Sequence, residues 1–302
     1  MNIRSLRKRI GSIKNIGKVA NALSLVSAAR VQKIEDMAVE SKLYAKEVFN
    51  LTKNVWNVAL LADLGWGRKK DMGGGSLFVL ISTDRGLVGS LNASLFRKLD
   101  EFLSTKNLSK RFFVVVGKKG RSYAMDRGDL VADFSDYSPY ISASIPIVKL
   151  IVNGFMSGEY KDCYLVFNDF VNIVVQKPKI KKILPLASYA EQKGLFGEPF
   201  EVIGEEENAP PVNGKEKFNC SFEPSEEKVV NTLISFYLEI QVSQAIVEAR
   251  ASEYAARMVS MRSASDNANQ LGKTLMLDYN KGRQEIITNE ISDITTASSL
   301  LV

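Results

Sequence analysis

Apolar and small residues recur at alternating steps of three and four through Ile3, Leu6, Ile10, Ile13, Gly17, Ala20, Ser24, Ser27, Val31, Ile34, Ala38, Ser41, Ala45 and Val48. That spacing is a heptad seam, and it predicts a long helix built to lie against another helix. Gly17, Ala20, Ser24 and Ser27 are small enough for a partner backbone to approach closely. Beside the seam runs a second apolar stripe, Ile16, Val19, Leu23 and Val26, which a two-stranded coil leaves exposed. It reads either as a wider core face or as a surface seated in an apolar sleeve formed by another protein. A comparable line near the other end passes through Val229, Leu233, Phe236, Ile240, Ala245, Ala249, Ser252, Ala256, Val259 and Ser263. It begins after Pro224 with Ser225 placed as a cap and with Glu226 and Glu227 complementing the helix dipole.

Neither Lys18 to Leu64 nor Ser225 to Leu271 contains a glycine or proline, whereas every proline lies between Pro139 and Pro224. Each uninterrupted stretch corresponds to a helix of roughly 70 Å, longer than a small domain is wide. The two seams pair most economically with each other as an antiparallel coiled coil, with the middle of the chain inserted at the turn-around.

The middle has a different texture. After Gly73, Gly74 and Gly75 comes Leu77 to Ser82, a continuous apolar run of the buried parallel-strand type, then a loop from Thr83 to Ser90. An amphipathic helix follows with Leu91, Leu95, Phe96, Leu99 and Phe102. Further strands are expected at Phe112 to Val116, Tyr164 to Phe167 and Val171 to Val175, and helices near Arg121 to Arg127 and at Ser144 to Met156. This alternation predicts a Rossmann-like three-layer α/β domain. The expected division is a coiled-coil helix at 1–64, an α/β domain at 76–193, a surface loop at 194–224 and a second coiled-coil helix at 225–302. The loop carries Glu205, Glu206, Glu207, Pro210 and Pro211 without periodicity.

Composition narrows the chemistry. The chain has 302 residues and no histidine, which removes the commonest general base, metal ligand and triad member together. Cys163 and Cys220 are far apart and form no CxxC pair, so a zinc site or secreted disulfide framework is not expected, and a reducing compartment is. No apolar run reaches the length that spans a bilayer, and the basic N-terminus lacks the apolar core of a secretory signal. Net charge is +6, and Met1 to Ile34 carries Arg4, Arg7, Lys8, Arg9, Lys14, Lys18, Arg30 and Lys33 with no acidic residue. That end is suited to acidic surface, whether nucleic acid, anionic lipid or protein, unless it is simply a solvated helix face.

Thr83-Asp84-Arg85-Gly86-Leu87-Val88-Gly89 follows a buried strand and precedes a helix, where α/β folds often hold phosphate. Neither it nor Gly117-Lys118-Lys119-Gly120 has the spacing of a phosphate loop or a dinucleotide fingerprint. The expected role is structural: Asp84 and Arg85 order the turn, and Gly86 and Gly89 take unusual backbone angles. No cofactor, metal or small-molecule substrate is expected.

Three segments then carry a resemblance. Ala251-Ser252-Glu253-Tyr254-Ala255-Ala256-Arg257-Met258-Val259-Ser260-Met261, Asp266-Asn267-Ala268, and Tyr279-Asn280-Lys281-Gly282-Arg283-Gln284-Glu285-Ile286-Ile287-Thr288-Asn289-Glu290-Ile291 strongly resemble the C-terminal signature of the gamma subunits of F-type ATP synthases. Ile10 to Val19, Ser27 to Arg30, and Ser82 to Leu87 resemble the same family's first helix and first turn. The likeness runs through both helices and the middle, with the stretch from Glu205 to Lys217 as an addition.

The resemblance implies a non-catalytic rotor. Its coiled coil enters the hexamer of alpha and beta chains, while its α/β foot sits with the epsilon-type subunit on the ring of membrane c subunits. It implies a peripheral complex of proton transport, on the cytoplasmic face of a bacterial inner membrane or the matrix side of the mitochondrial one; the Met start favours the bacterial case. Carried over residue by residue, Arg283, Gln284, Thr288 and Glu290 bond a loop of the beta chain, and Leu23 faces beta where many relatives have methionine. Gly282 stands in place of a usual alanine, Val88 in place of a frequent cysteine, and the plastid thiol insertion is absent. The alternatives from other classes are an α/β nucleotide-binding enzyme with a coiled-coil arm and a basic coiled-coil binder of nucleic acid.

Overall fold

A computed structural model of the chain describes residues 3–55, 64–67, 74–106, 108, 110–137, 139–186 and 223–299. Its elements are α1 (Ile3–Val55), β1 (Gly75–Ile81), α2 (Leu91–Lys106), β2 (Arg111–Val116), α3 (Lys118–Met125), β3 (Asp129–Asp133), α4 (Ser144–Met156), β4 (Tyr160–Phe170), β5 (Gln176–Leu184) and α5 (Glu226–Ser299). Two compact units result: Met1–Arg30 with Tyr254–Val302, and Val31–Glu253.

The larger unit is built on a five-stranded sheet in the order β3-β2-β1-β4-β5. β1 pairs in parallel with β2 and β4, β2 in parallel with β3, and β5 antiparallel to β4. Every residue of β1 is buried, because helices cover both faces of the sheet. On one face Leu77, Val79 and Ile81 pack with Ile147 and Ile151 of α4 and with Val230, Ile234, Leu238 and Val242 of α5. On the other, Phe78, Leu80 and Val115 pack with Leu95, Leu99 and Leu103 of α2 and Ala124 of α3. The start of the C-terminal helix is therefore part of the domain's own third layer. Trp66 is tied into it, its indole donating to Asn231 Oδ1 at 2.7 Å.

Where the pattern was continuous and apolar, the expected elements stand. Three readings change. Val171 to Val175, expected as a strand, is the connection between β4 and β5: the Asn172 carboxamide accepts from the amides of Val174 and Val175 at 2.9 and 2.7 Å, and so fixes a turn. β5 went unread because its alternation is written in Lys177, Lys179, Lys181 and Lys182, with Pro178 inside it, as suits a sheet edge. β3 went unread because it is five residues long with aspartates at both ends. The N-terminal amide of the last helix is capped as expected, Lys228 N donating to Ser225 Oγ at 3.4 Å.

The smaller unit is an antiparallel pair of helical segments. Leu6, Ile10, Ile13, Gly17, Ala20, Ser24 and Ser27 are all buried, the seam read from the sequence. Leu6, Ile10 and Ile13 pack with Leu275, Ala268 and Tyr279. Ser265 Oγ donates to the Gly17 carbonyl at 3.1 Å, Ser24 Oγ to the Met258 carbonyl at 3.1 Å, and Arg30 to Tyr254 Oη at 3.3 Å. As one strand of contacts climbs, the other descends, which defines the antiparallel sense. On α5 the line extrapolated through Val259 and Ser263 is corrected: both are exposed. The coil line is Met258, Met261, Ser265, Ala268, Gly272, Leu275 and Tyr279, all buried or half-buried. The reason is that the earlier half of α5 serves the sheet, and a helix with two different partners needs two different faces. Gly73 of the triple glycine, Cys220, and residues 194–222 of the expected loop lie outside the described residues, as do the side chains of the α1 seam from Ala38 to Val48.

Candidate functional site

The carboxyl ends of β1 and β4 are where a parallel sheet changes winding direction and where such folds commonly take ligands. In this chain the place is filled from within. Asp84, just past β1, accepts from Tyr140 Oη, from an Arg250 guanidinium nitrogen at 3.3 Å, and from the Lys118 amide at 3.3 Å. Arg250, on α5, is buried; it also bonds Glu253 at 2.5 Å and stacks over the Tyr140 ring at 3.5 Å. One guanidinium nitrogen, Nη1, thus bonds two carboxylates while the group lies over an aromatic face, a flat stacking that a lysine ammonium does not offer. Burial, then the bond to Asp84, pushes the Tyr140 hydroxyl up to about 12.

The start of α3 resolves the second phosphate-loop suspect. Lys118 N is taken by Asp84 Oδ1, Lys119 N by the Thr83 carbonyl at 3.0 Å, and Gly120 N by Ser82 Oγ at 2.7 Å. The amides that would cradle a phosphate at a helix start are spent on the β1 turn. Gly117 has φ 97°, and a Cβ there would lie 2.1 Å from the Ser82 carbonyl oxygen, so its glycine serves this close approach. In the turn itself Gly89 takes φ 60°, while Gly86 does not take a left-handed angle; Leu87 does instead, at φ 64°. Thr83 Oγ1 donates to the Arg85 carbonyl at 2.9 Å and receives the Asn92 amide at 2.7 Å.

Further along the same contact between α5 and the sheet, Ser252 Oγ donates to the Asn168 carbonyl at 2.9 Å. Lys181 of β5 reaches Gln241 Oε1 at 2.5 Å, and burial lowers that amine to about 8. Gln244 Nε2 donates to Glu248 Oε1 at 3.0 Å, and Lys179 pairs with Asp169 at 3.3 Å. Burial, then a hydrogen bond with Asp169, raises Glu248 to about 7. From Gln241 to Glu253 the sheet-facing side of α5 is a polar joint set into an apolar layer. Sequence reasoning missed Arg250, Glu248 and Gln241; the signal available was charge and amide on the buried face of a helix.

The other expected residues lie in the smaller unit and are not gathered with these. Arg283, Gln284, Thr288 and Glu290 are all exposed, and Thr288 Oγ1 donates back to the Gln284 carbonyl at 2.9 Å. Every residue from 283 to 295 is exposed, including Ile286, Ile287, Ile291 and Ile294. Leu23 is half-buried, while its stripe neighbours Ile16, Val19 and Val26 are 58%, 60% and 53% exposed. Such apolar area left open on a helical pair marks a surface made for a partner.

Comparison with known proteins agrees over the whole length. The family model described as ATP synthase matches residues 2–301. The ATP synthase gamma chain of Roseiflexus castenholzii is 33% identical over 306 residues, covering 99% of this chain and 98% of that one. The ATP synthase gamma chain of Legionella pneumophila strain Corby is 29% identical over 303 residues, covering 99% of each. In fold, the chain is similar to one in the Euglena gracilis mitochondrial ATP synthase (OSCP/F1/c-ring, rotational state 3), with TM-score 0.63, 19% identity, and 99% and 94% of the two chains covered. It is also similar to a chain of the Tetrahymena thermophila mitochondrial ATP synthase central stalk and c-ring, with TM-score 0.58, 22% identity, and 82% and 99% covered. With its seam, its joint and its full-length match, the chain belongs to the ATP synthase gamma-chain family.

Proposed function

We propose that this chain is the central rotating shaft of a proton-translocating F-type ATP synthase, coupling rotation of the membrane ring to conformational change in the catalytic beta chains. The observation that carries the reading is the match to ATP synthase gamma chains over 99% of the chain. The paired helices, with Ile16, Val19, Val26 and the isoleucines beyond Arg283 left exposed, support it physically. On this reading residues 1–64 and 225–302 form the shaft, 76–193 the foot, whose sheet the first part of α5 also covers, and 194–224 a connection. The partners are the alpha and beta chains around the shaft, with the epsilon-type subunit and the c-ring at the foot.

The chain itself does no bond-making chemistry: its work is mechanical, and the beta chains bind and convert the nucleotide. Arg283, Gln284, Thr288 and Glu290 bond a loop of beta, and Leu23 faces beta from the neighbouring stripe. The complex lies peripherally on the cytoplasmic face of a bacterial membrane, as the bacterial relatives suggest, with the mitochondrial matrix side as the alternative.

The test is reconstitution of the complex in vesicles with and without this chain. ATP-driven proton uptake is expected only with the chain present. Equal uptake in its absence would refute the mechanical role.

A further inference from the structure

We infer that Gln241, Ser252 and Arg250 grip α5 from opposite flanks against turning about its own axis, and so position the helix to carry torque. The torque belongs to the shaft reading, on which this inference rests. The grip itself stands on geometry within the larger unit.

The sheet-facing residues of α5 are apolar: Leu238, Val242, Ala245 and Ala249 share a layer with Leu77, Val79 and Ile81 of β1. At about 100° per residue, these four fall within an arc of about 60°. Apolar packing opposes lifting the helix off the sheet, but it has no preferred direction and opposes rolling only weakly. The bonds at its two margins are directional. Gln241 and Arg250 are nine residues apart, which sets them about 180° around the helix from each other, with the apolar arc between them. Ser252, eleven residues after Gln241, falls within about 20° of it.

The partners divide in the same way. On one flank, Lys181 Nζ of the edge strand β5 donates to Gln241 Oε1 at 2.5 Å, and Ser252 Oγ donates to the Asn168 carbonyl of β4 at 2.9 Å. On the other, Arg250 Nη1 bonds Asp84, just past β1, at 3.3 Å, and its guanidinium carbon lies 3.5 Å from the centre of the Tyr140 ring, just before α4. Gln241, Ser252 and Arg250 are all buried, where salt screens such bonds least. A roll of about 20° displaces a group at the helix surface by about 2 Å, enough to break a hydrogen bond. Rolling one way lifts Gln241 and Ser252 off β5 and β4; rolling the other way lifts Arg250 off Asp84. Each sense of torque is therefore opposed by one flank.

The test is the angular fluctuation of a probe on the foot while the alpha–beta hexamer, fixed to a surface and paused with a non-hydrolysable ATP analogue, holds the chain. The probe is attached at exposed Ser104 of α2 through Ser104→Cys, in a chain also carrying Cys220→Ser. Thermal angular variance is inversely proportional to torsional stiffness. It is expected to rise severalfold in Arg250→Met and to be partly restored in Arg250→Lys, whose charge remains without the flat stack. A severalfold rise is also expected in the double variant Gln241→Leu, Ser252→Ala, which tests the opposite flank and serves even where Arg250→Met does not fold. Ile234→Ala opens a cavity in the same layer without touching either flank. It is expected to lower stability in denaturant unfolding and leave the variance at the native value. Native variance in a folded flank variant, or an equal rise in Ile234→Ala, overturns the inference. With ATP supplied, rotation of the native chain alongside unchanged variance in the flank variants refutes the grip and leaves the shaft reading standing. Hydrolysis with the native probe stationary refutes the shaft, and the inference with it.

Discussion

Arg250 is the cation that holds Asp84 and Glu253 together in the joint. It is buried against Asp84, Glu253 and Tyr140, and its removal strands two carboxylates in a setting of low polarity. Arg250→Ala is expected to destabilise the full chain by about 3 kcal/mol in denaturant unfolding, and Arg250→Lys to recover only part of that. Gly117→Ala forces a Cβ against the Ser82 carbonyl at a positive φ, and is expected to cost at least about 2 kcal/mol by the same measurement. Unchanged midpoints for either would show that these contacts do not hold the turn. Asp84 was legible in the sequence because it directly follows a buried strand. Arg250 was not, because its partner lies 166 residues away and nothing local marks the pairing.

Elements were legible in proportion to how much of their partner the chain itself supplies. The α1 seam could be read residue by residue from Leu6 to Ser27, since spacing of three and four has one physical meaning when small residues fill it. On α5 the same reading failed beyond Ala256, because a helix that first covers a sheet and then joins a coil changes the face it buries. β5 was hidden by lysines and a proline, which are the means by which an edge strand resists pairing with strangers. At Gly17 the would-be Cβ lies 3.4 Å from Ala268 Cβ, so there is room for one methyl and no more. Gly17→Ala is expected to stabilise the helical pair by up to about 1 kcal/mol, through better helix propensity. Gly17→Leu is expected to destabilise it by about 1–3 kcal/mol through overpacking. Thermal melting of the full chain followed by circular dichroism distinguishes the two, and equal effects would contradict the close seam.

For the whole molecule, a single helix supplies both the third layer of the α/β domain and one half of the coiled pair, as its residues in the two units require. That arrangement suits a shaft, and among the described residues the crevice at the carboxyl ends of β1 and β4 is occupied by the joint. Gln284 and Thr288, which we propose bond a loop of beta, are exposed, with the Thr288 hydrogen already donated to the Gln284 carbonyl, leaving its oxygen to accept. Replacing both with alanine is expected to lower ATP synthesis several-fold while leaving assembly intact, since each lost hydrogen bond is worth about 1 kcal/mol. Normal synthesis in that double variant would remove the proposed contact. The most direct measurement of the central claim is single-molecule imaging of the alpha–beta hexamer fixed to a surface, with a probe attached to this chain. Stepwise rotation in one direction is expected while ATP is hydrolysed; continued hydrolysis with the probe stationary would contradict the shaft role.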